Sequence, residues 1–379
     1  MMKDVFVVSD NIFSPVGNTS AENFHALIND QSGIKEQVLP SVSALPFYAS
    51  LFTGEIDKAL TAGDSCTKFE QLVICSVAKA LQNSGINVQS PGTIMILSTT
   101  KGNISLLETA VISASIKEQV GLYTSARKIA GYFKLAHTPV IISNACISGL
   151  TALLTGKRLL EMGQYKQAVV VGADVISSFI LSGFQSFQAI SRQPCRPFDA
   201  ARDGINLGEA AATIILSTEI TDGSVKLAGG AVTNDANHIS GPSRSGQELC
   251  MAINKAMKQA HVSSADIGFI SAHGTATVYN DEMEAKAFSL AGMEAIPLNS
   301  LKGYYGHTLG AAGLVESVIA IQSLQQKIMI PTKGFRQTGV SKPVTVCKEV
   351  MPIETNHCLK TASGFGGCNA ALVFSKTLN

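Results

Sequence analysis

The sequence predicts an α/β fold made of two similar halves, and three observations point there. Short β-branched runs alternate with amphipathic stretches of helical period, the 379 residues are 46% hydrophobic, and a strand-like run near residue 211 returns near residue 370. The alternation opens with an apolar run over Asp4 to Ser9, then a helix over Ala21 to Asn29 and a strand over Gly92 to Ser98. Val140 to Ser143 reads as the next strand, Ile147 to Met162 as a long helix and Ala168 to Gly172 as a further strand. Ala211 to Ser217 closes this half, and Thr221-Asp222-Gly223-Ser224 turns the chain. The expected division is therefore 1–225 and 226–379.

The second part repeats the plan with a helix over Gln247 to Ala260, a strand over Ile267 to Ser271, helices over Asp281 to Leu290 and Gly310 to Gln325, and a last strand over Ala370 to Ser375. Ala211-Ala212-Thr213-Ile214-Ile215-Leu216-Ser217 resembles Ala370-Ala371-Leu372-Val373-Phe374-Ser375. Each lies roughly 65 residues after a loop-to-helix junction, the first carrying Cys146 and the second His307. Two related halves facing each other across one site are expected.

Composition narrows the function classes. Lysine and arginine number 29 against 28 acidic residues, and no basic run suits a phosphate backbone, so nucleic acid is not an expected partner. Met1 to Val8 pass directly into a strand-like run without the features of a secretory signal. Apolar runs such as Ala168 to Val171 stop well short of the ~20 residues that cross a bilayer. A cytoplasmic protein without a membrane span is expected. The eight cysteines include no CxxC pair, and no histidines cluster at metal-ligand spacing. Reduced, mostly buried thiols and no bound metal follow as expectations.

Chemistry gathers at four segments. Cys146 lies in Ile142-Ser143-Asn144-Ala145-Cys146-Ile147-Ser148-Gly149-Leu150, where a strand ends and a long helix begins. A helix N-terminus favours thiolate, though position alone leaves a buried structural cysteine open. His273 starts His273-Gly274-Thr275-Ala276-Thr277 at a strand end, and His307 sits in Lys302-Gly303-Tyr304-Tyr305-Gly306-His307-Thr308. A lone histidine is more often a core or surface residue than a catalyst. Gly364-Phe365-Gly366-Gly367-Cys368-Asn369 is a tight turn whose backbone N–H groups suit an oxyanion. No strand-GxGxxG-helix unit, P-loop or GxSxG elbow occurs, which removes nucleotide-binding and serine-hydrolase readings.

These segments, in this order, resemble the β-ketoacyl-acyl carrier protein synthases, condensing enzymes of the thiolase superfamily, and the likeness spans nearly the whole chain. Ser14-Pro15-Val16-Gly17-Asn18 is similar to the family's N-terminal turn, and Arg196 through Gly204 with Gly208-Glu209-Ala210 to its central signature. The resemblance implies a thiolase-like five-layered αβαβα fold, a homodimer or a heterodimer with a related subunit, and no bound cofactor. Substrates would ride on the phosphopantetheine of acyl carrier protein. By the same likeness Cys146 accepts the acyl chain, the backbone N–H groups of Cys146 and Phe365 form the oxyanion hole, and His273 and His307 stabilise an enolate formed from a malonyl thioester. Lys302 is implied near the second histidine, paired with Glu284 as support. Thr275 and Thr277 match positions that bind the phosphopantetheine arm, and Phe365 matches an aromatic gate.

Several positions depart from the family pattern. Ile205 stands where an aromatic ring usually shapes the site around the malonyl carboxylate. Ser143-Asn144-Ala145, Ile147-Ser148-Gly149 and Ser98 to Asn103 also differ from the common forms, and the chain is somewhat short. The resemblance implies a synthase of fatty acid or of specialised polyene or polyketide-like biosynthesis, and these departures are read as marks of the specialised kind. The alternatives are a non-catalytic subunit like a chain-length factor, which usually lacks the nucleophile, and a thiolase, which uses a second cysteine near the C-terminus. Cys368 is late in the chain, but its Gly-Phe-Gly-Gly setting looks like the synthase loop.

Overall fold

Apolar runs such as Ile94-Met95-Ile96-Leu97 send successive side chains to opposite faces, so a strand with such a run must be covered on both. The computed structural model describes residues 3–377 apart from 54–65, 83, 109–110, 221–222 and 238. Eleven strands form the main sheet among the described residues: β1 (Phe6–Phe13), β2 (Thr93–Ser98), β3 (Val140–Ile142), β4 (Gln167–Asp174), β5 (Ala210–Ser217), β6 (Val225–Asn234), β7 (Phe269–Ser271), β8 (Pro297–Asn299), β9 (Thr345–Val346), β10 (His357–Gly364) and β11 (Cys368–Lys376). Their order is β9-β8-β7-β10-β11-β6-β1-β5-β4-β2-β3.

The sheet repeats one pattern twice. β3, β2 and β4 run parallel, then β5 and β1 follow antiparallel. Likewise β8, β7 and β10 run parallel, and β11 and β6 follow antiparallel. The strands compared in the sequence, β5 and β11, occupy equivalent places. Within the sheet the two units join where Phe6 and Val7 of β1 pair with Lys226 and Val225 of β6.

Among the described residues, eight helices of nine residues or more complete the layers: α1 (Ser20–Ile28), α2 (Lys68–Gln82), α3 (Leu122–Phe133), α4 (Ser148–Glu161), α5 (Ser178–Ser186), α6 (Gln247–Ala260), α7 (Val278–Leu290) and α8 (Ala312–Gln326). α4 and α8 lie between the two sheet units, α2 and α3 cover the outer face of the first, and α6 and α7 that of the second. The cores show this layering residue by residue. Ile94, Ile96, Val170, Ile214 and Leu372 pack with α4 and α8. Their neighbours Met95, Leu97, Val169, Val171 and Ile215 pack outward in the first unit, and Ala371 and Val373 in the second. The result is the αβαβα sandwich expected.

Four strands of the main sheet are absent from the sequence reading: the short β8 and β9, too brief to show a period, and the long β6 and β10, each for a physical reason. β6 reads Val-Lys-Leu-Ala-Gly-Gly-Ala-Val, and its glycines look like a turn. Gly229 is instead a point of close contact, since a Cβ there would lie 2.2 Å from the Ala256 carbonyl of α6. β10 carries Lys360, Thr361 and Ser363, polar side chains that are buried because they serve the site. The expected turn at Thr221 and Asp222 lies outside the described residues.

Candidate active site

Cys146 sits on the turn from β3 into α4. Ala145 before it adopts a left-handed backbone with φ 43°, which costs a non-glycine residue roughly 1–2 kcal/mol. Ser148 ties this turn down: its hydroxyl donates to the Ala145 carbonyl at 2.6 Å and accepts the Asn144 N–H at 2.8 Å. The thiol is buried and points at the ring of His307, whose Nε2 lies 2.9 Å from Sγ. The expectation of a favoured thiolate is not met at rest. Burial, then the nearby Cys368, push the Cys146 pKa up to about 12, outweighing the Lys302 ammonium and the Phe365 N–H that act the other way. The resting sulfur keeps its proton.

His307 is fixed through its backbone. Its N–H donates to the Asn206 carbonyl at 2.7 Å, and its carbonyl accepts the Gly208 N–H at 3.0 Å. His273, at the end of β7, donates its N–H to Glu284 Oε1 at 2.8 Å, and its carbonyl accepts Lys302 Nζ at 2.9 Å. The two rings meet edge to face, with centroids 5.4 Å apart. Burial holds both histidines well below the usual imidazole range, and the Lys302 ammonium adds to this at both. Both rings are therefore neutral at pH 7.

Residues 127 and 161 apart in sequence thus converge on one sulfur. Cys146, His273 and His307 offer three ligand atoms within 4.8 Å of one another, a candidate group for a metal ion among the described residues. The Lys302 ammonium that bears on both rings disfavours a dication there. The arrangement suits a nucleophilic thiol with two neutral hydrogen-bonding rings beside it.

The implied pair of Lys302 with Glu284 is corrected by the structure. Lys302, fully buried, pairs with Glu316. Glu284 is already occupied, because its carboxylate accepts the N–H groups of His273 and Gly274, the Thr361 hydroxyl at 3.0 Å and the Asn280 amide. It holds the His273 loop directly instead. Glu316, the lone acid in the apolar helix α8, also lies 2.7 Å from the buried Lys360. A carboxylate inside an otherwise apolar helical stretch, and a lysine inside Cys-Leu-Lys-Thr-Ala, are signals that the sequence reading passed over. Asp174 is a third such residue. It accepts the Thr99 hydroxyl and the Gly310 N–H at 2.7 Å each, joining the β4 end to the approach of α8.

A cavity of about 350 Å³ opens onto the sulfur. All the substrate-binding positions named from the sequence line it: Thr275, Thr277, Ile205 and Phe365, together with Cys146 and both histidines. The hydroxyls of Thr275 and Thr277 are 2.8 Å apart. Phe365 directs its backbone N–H at the Cys146 sulfur, and its ring, 36% exposed, stacks on Phe184 at 5.5 Å. Phe187 meets the same ring edge-on at 5.3 Å. Phe184 and Phe187, from α5 and its end, complete an aromatic cluster missing from the sequence reading. Their spacing was the available signal.

Fold and site together define a thiolase-like condensing enzyme. Among solved structures, the complex of a ketosynthase with its chain length factor from Xenorhabdus doucetiae contains a chain that superposes with a TM-score of 0.90 at 26% identity, covering 99% of this chain and 98% of that one. Of the curated proteins, 3-oxoacyl-[acyl-carrier-protein] synthase 2 of Vibrio cholerae serotype O1 is 29% identical, over 98% of this chain and 99% of its own. Putative polyketide beta-ketoacyl synthase 1 of Streptomyces halstedii is 27% identical over 82% of each. The family described as "Beta-ketoacyl synthase, N-terminal domain" matches residues 2–221, and "Beta-ketoacyl synthase, C-terminal domain" matches 225–336. The chain belongs to the beta-ketoacyl synthase family and is a condensing acyltransferase.

Proposed function

We propose that the protein is a β-ketoacyl-acyl carrier protein synthase that loads an acyl chain on Cys146 and extends it with a malonyl unit. The observation that carries this is the 2.9 Å approach of His307 Nε2 to the Cys146 sulfur, with the His273 ring beside it.

In the first half-reaction Cys146 attacks the acyl thioester of an acyl carrier protein. Because its proton is retained at rest, His307 Nε2 takes that proton as the C–S bond forms and returns it to the departing phosphopantetheine thiol. The oxyanion faces the N–H groups of Cys146 and Phe365, both at the sulfur. In the second, a malonyl thioester enters past Phe365, and Thr275 and Thr277 hold its phosphopantetheine arm. With the sulfur acylated and no thiol proton left to accept, His307 takes its Nε2–H tautomer, and the neutral rings of His273 and His307 donate to the thioester oxygen as carbon dioxide leaves. The enolate carbon then attacks the acyl-Cys146 carbonyl, the C–S bond breaks, and one proton from solvent restores the thiol. Losing one such donor costs roughly 3 kcal/mol in a transition state. Ile205, 2% exposed, gives the cavity an apolar wall that favours carbon dioxide over a carboxylate.

The reading includes a division of labour at residue 225, with the nucleophile before it and both histidines after it. It also includes a cytoplasmic setting, which eight cysteines without a CxxC pair suit, and a dimer, either of two copies or with a related subunit. The test is incubation with an acyl-acyl carrier protein and mass spectrometry of Cys146, followed by carbon dioxide release from malonyl-acyl carrier protein. Acylation of Cys146, with release lost in His273→Ala, is the expected result. A folded protein without an adduct would leave the non-catalytic partner reading, and turnover of acetyl-coenzyme A alone would indicate a thiolase.

A further inference from the structure

Lys360 has no part in the chemistry above, yet it is fully buried in β10. Its ammonium donates to the carbonyls of Ser271 at 3.1 Å and Ala272 at 3.2 Å, the two residues before His273, and to Thr361 at 2.6 Å. It is also 2.7 Å from Glu316 Oε2, the carboxylate that holds Lys302 through its other oxygen. Lys302 in turn grips the His273 carbonyl, and Glu284 the His273 and Gly274 N–H groups. Three consecutive carbonyls, 271 to 273, are thereby held by two ammonium groups that share one carboxylate.

The charges facing His273 come from every element around it: Lys302 before α8, Glu316 within α8, Glu284 and Asp281 from α7, Lys360 from β10, and the uncharged Cys146 and His307. Burial pushes the Asp281 pKa up to about 7, so that group is largely protonated in acid. The Lys302 and Lys360 ammonium groups share the Glu316 carboxylate, while Arg202 lies 4.0 Å from Asp281. Lys360 is one of the cations that hold His273 neutral.

We propose that Lys360 is a positioning residue for His273, clamping the end of β7 so that the imidazole meets the malonyl thioester oxygen. The inference rests on the synthase reading and deepens it, because it assigns Lys360 to one half-reaction alone. His307, not His273, touches the sulfur, so loading of Cys146 does not need the clamp.

The test compares wild type with Lys360→Met, which removes charge and donors, and Lys360→Gln, which keeps a donor. Both are read in three ways: the rate of Cys146 acylation, kcat and KM for carbon dioxide release from malonyl-acyl carrier protein across pH, and the pH titration of the His273 ring by NMR. In Lys360→Met, kcat for carbon dioxide release is expected to fall about tenfold to a hundredfold, a cost typical of displacing a catalytic group by an ångström. KM and the acylation rate should stay within about twofold. With one cation gone, the His273 titration and the acid limb of the release reaction should move to higher pH. Lys360→Gln should recover part of kcat but show the same shift in titration.

Equal loss in both half-reactions, or no loss in release, or an unmoved His273 titration would overturn the proposal. If Lys360→Met does not fold, the Gln variant is judged on the same comparison of the two rates and on the titration. Wild-type protein that neither acylates nor releases carbon dioxide would instead sink the synthase reading. The NMR titration still reports on Lys360 in that case, because it needs no turnover.

Discussion

At the residue scale the site turns on one proton. A buried thiol with its pKa raised to about 12 is a poor nucleophile alone, so the 2.9 Å partner decides its reactivity. His307→Ala should slow iodoacetamide alkylation of Cys146 by about a hundredfold, the range of general-base assistance, while His273→Ala changes it less than about threefold. Peptide mass spectrometry against time measures both. The residue types of this site were legible because cysteine, histidine and glycine stood in ordered motifs. Lys302 was placed with the wrong carboxylate, since nothing local distinguishes Glu284 from Glu316. Only folding shows that Glu284 is saturated by backbone N–H groups and that Glu316 lies between two lysines.

At the element scale, the helix behind Cys146 and the helix behind His307 must approach closely for their side chains to touch. Gly149 and Gly313 allow it: a Cβ on the first would lie 2.9 Å from the Leu314 N, and one on the second 2.9 Å from the Leu150 N. Gly313→Ala should therefore cost about 1–3 kcal/mol by overpacking and reduce Cys146 acylation, as urea unfolding and the loading assay would show. The helix α6 was legible to the residue, whereas α2, α3 and α5 were passed over. Strands β6 and β10 were not legible, because their glycines and polar residues answer to neighbouring elements rather than to strand propensity.

At the scale of the whole molecule, burial of uncharged imidazoles links stability to pH. The unfolded rings titrate near ~6.5, and the folded ones well below it. The unfolded chain thus takes up protons first, and the stability these rings contribute above that pH is lost as pH falls below it. The fall in melting temperature between pH 7.5 and pH 5.5 should accordingly be smaller in His273→Asn than in wild type, as calorimetry at both values measures. The assembled state is a second property at this scale. β3 is the edge of the eleven-stranded sheet, and its Val140, Ile141 and Ile142 are half-buried. An apolar edge strand invites pairing, so sedimentation equilibrium is expected to report a dimer, and Val140→Lys with Ile142→Lys to favour the monomer.

The sequence by itself determined the α/β alternation, the repeat of one strand motif in each part, and which side chains were fit for thiol and imidazole chemistry. These depend on short-range periodicity and on residue type. The tertiary structure decided how the thiol's proton is held, which acid neutralises Lys302, that Lys360 lies against the carbonyls before His273, and that Phe184 and Phe187 line the cavity. Each of these depends on desolvation and on contacts between residues distant in the chain, quantities that have no value until the two halves close on each other.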